Sequence, residues 1–159
     1  MKMGFPPVFD NCSRVLILGS FPSVKSREIS FYYGNKQNRF WKTLFSIFNQ
    51  PFLESTEERI AFLKEKRIAL WDVVESCEIV GSADSSIKNV TLAPLEKIIG
   101  VAKIEKVLLN GSLAYRLYEE HFSKKDGFEN IPYIKMPSTS PANPRFAKEI
   151  WESELRVLR

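Results

Sequence analysis

Three short runs rich in hydroxyl and amide side chains each follow an apolar stretch of this chain. They are Gly19-Ser20-Phe21-Pro22-Ser23, Asn110-Gly111-Ser112 and Pro137-Ser138-Thr139-Ser140-Pro141-Ala142-Asn143. Such groups donate and accept hydrogen bonds without titrating near neutrality. They suit a reaction in which a good leaving group departs under hydrogen bonds, and they argue against one that needs a strong general base. The single histidine, His121, stands among Glu119, Glu120 and Phe122 and reads as a surface residue, which disfavours Ser-His-Asp and metal chemistry. Cys12 and Cys77 are too few for a zinc ribbon or a four-cysteine cluster. No metal and no cofactor is expected.

Gly19-Ser20-Phe21-Pro22-Ser23-Val24-Lys25-Ser26 comes close to the phosphate loop G-x-x-x-x-G-K-S. Val24 replaces the second glycine, and a β-branched residue resists the positive φ that glycine supplies. Pro22 deletes one of the backbone donors that would cradle phosphates. A nucleotide triphosphatase is therefore disfavoured.

The elements that position these runs follow from apolar patterning. Val15-Leu16-Ile17-Leu18 is a continuous apolar run, as expected of a strand buried on both faces and ending at Gly19. Further strands are expected at Ile68–Val74, Val107–Leu109 and Tyr133–Met136. Helices are expected from Asn38 to the stop at Pro51, from the capping box Ser55/Glu58 to about Arg67, at Leu95–Val101, at Leu113–Phe122 and from Arg145 to Arg159. Met1–Ser13 and the polar, aromatic stretch up to Gln37 read as irregular, and Ser82–Ile87 as a turn or short helix. Strands alternating with helices imply a three-layer α/β/α sandwich around a central, mainly parallel four-stranded sheet. In that architecture all three polar runs fall on one rim, beyond the carboxyl ends of the strands, where open sheets bind ligands.

A length of 159 residues with 44% hydrophobic and 26% charged content fits one soluble domain over the whole chain, 1–159. No apolar run approaches the ~20 residues of a membrane span and no signal peptide opens the chain, so a cytoplasmic monomer is expected. Net charge is +4, and Lys25, Arg27, Lys36, Arg39 and Lys42 cluster near the first polar run against the single acid Glu28. A polyanionic partner suits that bias.

The strand ending Gly19-Ser20-Phe21-Pro22 and the loop Met136–Asn143 resemble the first and last motifs of the uracil-DNA glycosylase superfamily. Asn38-Arg39-Phe40-Trp41-Lys42 is similar to its mismatch-specific uracil/thymine branch. With Leu70-Trp71-Asp72-Val73 and Leu109-Asn110-Gly111 added, the set most resembles the hypoxanthine-DNA glycosylase branch, over about residues 15 to 152. One departure matters: Phe21 stands where uracil-specific members carry the Asp or Asn that positions water. The resemblance implies damaged DNA as partner and catalysis by Asn38, which is equally well placed as a helix cap. It implies base reading by Asn110, whose plainer role is a turn residue, and base stacking on Tyr33, which could equally be a core aromatic. Phe21 joins the base-binding set. Ser20, Ser23, Ser138 and Ser140 would donate to flanking phosphates, while Asn143 and Arg145 belong to a stiff loop able to fill the gap left by an extruded base.

The expected activity is that of a monofunctional DNA glycosylase removing a deaminated base, hypoxanthine first, by base flipping and hydrolysis. A mismatch-specific uracil/thymine glycosylase is the alternative within the superfamily. A lesion-binding module that does not cut is the alternative outside it.

Overall fold

The computed structural model describes residues 1–159. Four strands, β2 (Val15–Gly19), β3 (Ile68–Asp72), β6 (Lys106–Asn110) and β7 (Tyr133–Met136), form a parallel sheet in the order β3-β2-β6-β7. Every residue of β2 and β3 is buried, which is why their sequences read as unbroken apolar runs rather than alternating ones. Register is in step across the sheet: Gly19 lies opposite Asp72, Leu18 opposite Leu109, and Asn110 opposite Met136. The chain leaves β2 for β3 on one side and later adds β6 on the other. The strand order therefore reverses at β2/β6, and a crevice opens beyond their carboxyl ends.

The helices are α1 (Val24–Ile29), α2 (Phe40–Ile47), α3 (Thr56–Glu65), α4 (Glu96–Ile99), α5 (Ser112–His121) and α6 (Lys148–Leu155). Helix α2 buries Phe40, Trp41, Leu44 and Phe45, and the Phe40 ring meets Trp151 of α6 edge-on at 6.1 Å. The capping box at α3 forms as expected: Ser55 Oγ accepts from Glu58 N–H at 3.1 Å and donates to the Glu58 carboxylate at 2.9 Å. No helix is long and apolar enough to cross a membrane.

Three features depart from the sequence-based expectation. The stretch up to Gln37 is not irregular throughout, because α1 sits inside it, capped by Ser23. The expected strand Ile68–Val74 breaks at Val73; its N–H still bonds Gly19 O at 2.8 Å, after which the chain starts β4 (Val74–Glu78) in another sheet. That sheet is antiparallel, β1 (Lys2–Met3), β4 and β5 (Lys88–Leu92), in the order β1-β4-β5. Finally, the closing helix begins at Lys148 rather than Arg145, leaving residues 144–147 to link it to the last polar loop.

Candidate active site

The polar runs meet, as the strand order requires, around one cavity of about 550 Å³ at the β2/β6 crevice. Ser20, Phe21, Ser23, Tyr33, Asn38, Asn110, Ser138 and Ser140 all line it. Asn143 and Arg145 do not; the Asn143 side chain braces the last loop instead, its Nδ2 donating to Ser138 O at 2.9 Å and its Oδ1 accepting from Arg145 N–H at 3.1 Å.

Gly19 ends β2 at the point of closest approach. A Cβ added there would stand 2.6 Å from Asp72 Oδ1 and 2.8 Å from Tyr33 Oη, closer than real side chains tolerate. Glycine is thus required by space, since it lets a carboxyl and a phenol converge on one spot. Tyr33 reaches that spot from a backbone with φ of 53°, an uncommon conformation for a bulky residue. Surrounding contacts hold it there. One face of its ring stacks on Phe40 at 4.1 Å, and its Oη accepts a hydrogen bond from Asn110 Nδ2 at 3.2 Å.

Asn110 is held on every side. Its Nδ2 also donates to Thr139 Oγ1 at 3.0 Å, and its Oδ1 accepts from Thr139 N–H at 3.0 Å. Both amide hydrogens and one carbonyl lone pair are engaged within the protein, which ties β6 to the last loop and to Tyr33. What this side chain can still offer a base is the second lone pair of Oδ1.

Asn38 lines the cavity and stands one residue before the N-cap of α2, which is Arg39 and not Asn38 as the sequence suggested; its Oδ1 still ties down the helix start by accepting from Phe40 N–H at 2.9 Å. That bond fixes the orientation of the amide, because only the oxygen can accept from a backbone N–H. The Nδ2 donor is left for a substrate or a water. Ser23 Oγ caps α1, accepting from Ser26 N–H at 3.2 Å. Ser138 and Ser140 brace their own loop by accepting from Ser140 and Ala142 N–H, each at 3.2 Å. Ser20 donates to Asp84 at 3.4 Å.

Two arginines of the basic cluster are partly committed elsewhere. Arg39 donates to the carbonyls of Ser140 and Asn143 at 2.5 and 2.8 Å and stacks over Phe146 at 4.5 Å. It clamps the last loop onto the start of α2. Arg27 donates to Gly81 O at 2.7 Å and lies 5.7 Å from the Phe21 ring.

Sequence reasoning missed the cavity's acids. Asp72 and Asp84 are its only charged lining residues. Asp84 is exposed as a residue, but partial desolvation of its carboxyl against the cavity wall raises the pKa above the ordinary value, while the Ser20 hydrogen bond opposes that shift. Asp72 is 4% exposed, and its Oδ2 is buried without a hydrogen-bond partner. With desolvation as the only resolved cause, its pKa is pushed up to about 7. The available signal was Asp72's place at the end of a buried strand, in register with Gly19. No three His, Cys, Asp or Glu side chains gather as a metal site would require.

Fold and crevice are those of the uracil DNA glycosylases, and the comparisons agree. The model of the uracil DNA glycosylase superfamily matches residues 6–154, and this chain belongs to that family. It is 34% identical over 161 residues to a hypoxanthine DNA glycosylase of Methanosarcina acetivorans, covering 98% of this chain and 99% of the relative. A hypoxanthine DNA glycosylase of Methanosarcina barkeri is 36% identical over 112 residues, 69% of this chain and 71% of the relative. Among solved structures, the solution NMR structure of a Methanosarcina acetivorans protein described as a candidate uracil DNA glycosylase superposes with a TM-score of 0.84. It is 33% identical and covers 99% of this chain and 98% of its own.

The raised pKa of Asp72 makes stability depend on pH. Between the unfolded value near 4 and the folded value, the native state binds more protons than the unfolded one, so stability falls as pH rises through that window. Asp72→Asn removes the ionisation. Thermal melts at pH about 8.5 should show the variant several degrees more stable than wild type, a gain of up to about 4 kcal/mol by linkage. The advantage should close as pH falls toward about 4. A constant difference across that range would mean that Asp72 does not titrate there.

Proposed function

We propose that the protein is a monofunctional DNA glycosylase that flips hypoxanthine out of DNA and hydrolyses its N-glycosidic bond. The observation that carries this reading is a polar cavity with room for an extruded nucleotide at the strand-order reversal, in a chain that aligns over 98% of its length with a hypoxanthine DNA glycosylase. Inside it, Tyr33 offers an aromatic ring and Asn38 an amide donor, and hydroxyls from three loops converge. Phe21 stands at the mouth of the first loop and brings no polar group to hold water, which weighs against uracil as the preferred base. No lysine lines the cavity, so nothing there forms a Schiff base, and backbone cleavage is not part of the reaction. The same reading takes the protein as a single-domain monomer. A cytoplasmic enzyme fits the same reading.

In the proposed mechanism the extruded base rests against Tyr33, and Asn38 Nδ2 holds either the water that adds to the sugar or the edge of the leaving base. Serines of the rim approach the flanking phosphates.

Purified protein incubated with duplexes carrying hypoxanthine, uracil, xanthine or mismatched thymine should release hypoxanthine fastest. It should do so in the presence of a chelator, leaving abasic sites that break only in alkali. Cleavage without alkali, or a requirement for Mg²⁺, would overturn the reading.

Asn38→Asp keeps the tie to the start of α2, since Asp accepts there about as well as Asn, but replaces the amide donor with a charge. Its melting temperature should stay near that of wild type while the single-turnover rate falls about 10²–10³-fold. Asn38→Ala should lose a similar factor in rate and about 1 kcal/mol of stability. A near wild-type rate for Asn38→Asp would leave Asn38 only tying down the helix start.

Lys25, Lys36, Lys42 and Arg145 are exposed around the site, and with about three phosphate contacts log affinity should fall with log salt at a slope near −3. Fluorescence anisotropy on a lesion duplex measures this, and a flat response would remove the basic cluster from the DNA interface.

A further inference from the structure

We propose that Asp72 is a catalytic general acid whose neutral carboxyl protonates the departing purine. This rests on the hypoxanthine reading above and names a residue and a proton path for it. The proton on the Asp72 carboxyl passes to N7 of the base as the C1′–N9 bond breaks, so the electron pair of that bond leaves on a neutral hypoxanthine. Water then adds to the sugar carbon, and the proton it sheds returns to the Asp72 carboxylate, restoring the starting state.

Four observations converge on it. The carboxyl stands at the rim of the parallel sheet, in register with Gly19, and lines the cavity. Space is kept for it there, because a side chain at Gly19 would collide with Asp72 Oδ1. Its Oδ2 has no partner in the protein, although a buried polar atom without one is uncommon and costly. No cation faces it from any side. The segment after α1 brings Tyr32 and Tyr33, whose phenols burial keeps protonated, and β2 brings Gly19. The β6 and β7 rims bring Asn110 and Thr139, and the hairpin between β4 and β5 brings only the acid Asp84.

Such surroundings push the carboxyl pKa up to about 7, so that the uncharged acid is well populated near neutrality, and DNA phosphates at the mouth of the cavity raise that population further. An ionised carboxylate in the same place would favour the sugar cation but repel the negative charge growing on the leaving base, which a proton from the neutral acid removes. A purine also has what this acid needs: N7 is its most basic ring nitrogen, and pyrimidines have no counterpart. The arrangement therefore favours a purine lesion over uracil.

Single-turnover excision of hypoxanthine, with enzyme in excess and pH varied from about 5.5 to 9, separates the possibilities. Wild type should hold a plateau in acid and lose about tenfold per pH unit on the alkaline side of the Asp72 titration. Asp72→Asn, which keeps shape and a donor but has no proton to give, should be about 10²–10⁴-fold slower and lose that alkaline limb. It should bind a duplex bearing a 2′-fluorinated, uncleavable deoxyinosine within about threefold of wild type, and melt no lower at pH about 8.5.

A variant rate within about threefold of wild type would overturn the proposal, as would an alkaline limb that survives the substitution or a wild-type rate that rises through neutrality. So would a loss confined to binding, which would make Asp72 a base-reading group. A wild-type protein inactive on hypoxanthine at every pH is a different failure, because it removes the glycosylase reading and this step with it.

Discussion

The missing side chain at Gly19 is the constraint around which the crevice is built. In a parallel sheet with β2 and β3 in step, the residue opposite Gly19 is Asp72, and a methyl group at position 19 would lie within 3 Å of both the Asp72 carboxyl and the Tyr33 hydroxyl. Glycine lets the two approach. From that approach follow the positive φ of Tyr33, the stacking of its ring on Phe40 and the hydrogen bond that Asn110 gives it. The strained tyrosine persists because α2 and β6 over-determine it from two sides.

A second layer of constraints joins the three loops into one surface. Asn110 bonds Thr139 through both its donor and its acceptor, and Arg39 grips the carbonyls of Ser140 and Asn143. The last loop is thereby held from β6 and from α2 at once. Asn38, next to Arg39, shares in this rigidity through its bond from Phe40 N–H. Polar residues that each look available in the sequence turn out to be largely committed to holding one another. What remains free is narrow: the Asn38 Nδ2, the Tyr33 hydroxyl proton and the Asp72 carboxyl.

The parallel sheet was legible because its strands are buried on both faces and so spell themselves as Val15–Leu18, Ile68–Leu70 and Val107–Leu109. Helix α2 and the Ser55 capping box were legible for equally local reasons. Helix α1 was not. It has six residues, of which only Val24 and Ile29 are apolar, and only the Ser23 cap announces it. The antiparallel sheet escaped notice because β1 has two residues and the first four residues of β5 are exposed. The gathering of the site on one rim followed from strand order, whereas the consumption of Asn110 and Arg39 by neighbours depends on contacts more than 25 residues apart in sequence. Asp72 was the hardest case. In sequence it is a polar residue closing an apolar run, and nothing local says that its partner strand offers no cation.

That absence sets the electrostatic problem the site must solve. DNA brings phosphates, the reaction puts negative charge on the leaving base, and the cavity meets them with two carboxyls and no cation inside it. With all groups ionised, the anions would favour the positive charge growing on the sugar but oppose the negative charge growing on the leaving base. Desolvation eases the conflict at Asp72 by pushing its pKa up to about 7, so that the neutral acid, a hydrogen-bond donor, is well populated near neutrality. Asp84 is left at the exposed rim, where water screens it and the Ser20 hydroxyl donates to it. Depth therefore separates the two acids by degree: Asp84 is only partly desolvated, whereas Asp72, set behind a glycine, is kept from water. The positive charge the protein does carry lies outside the cavity, where it can hold the phosphates without drawing the proton away from Asp72.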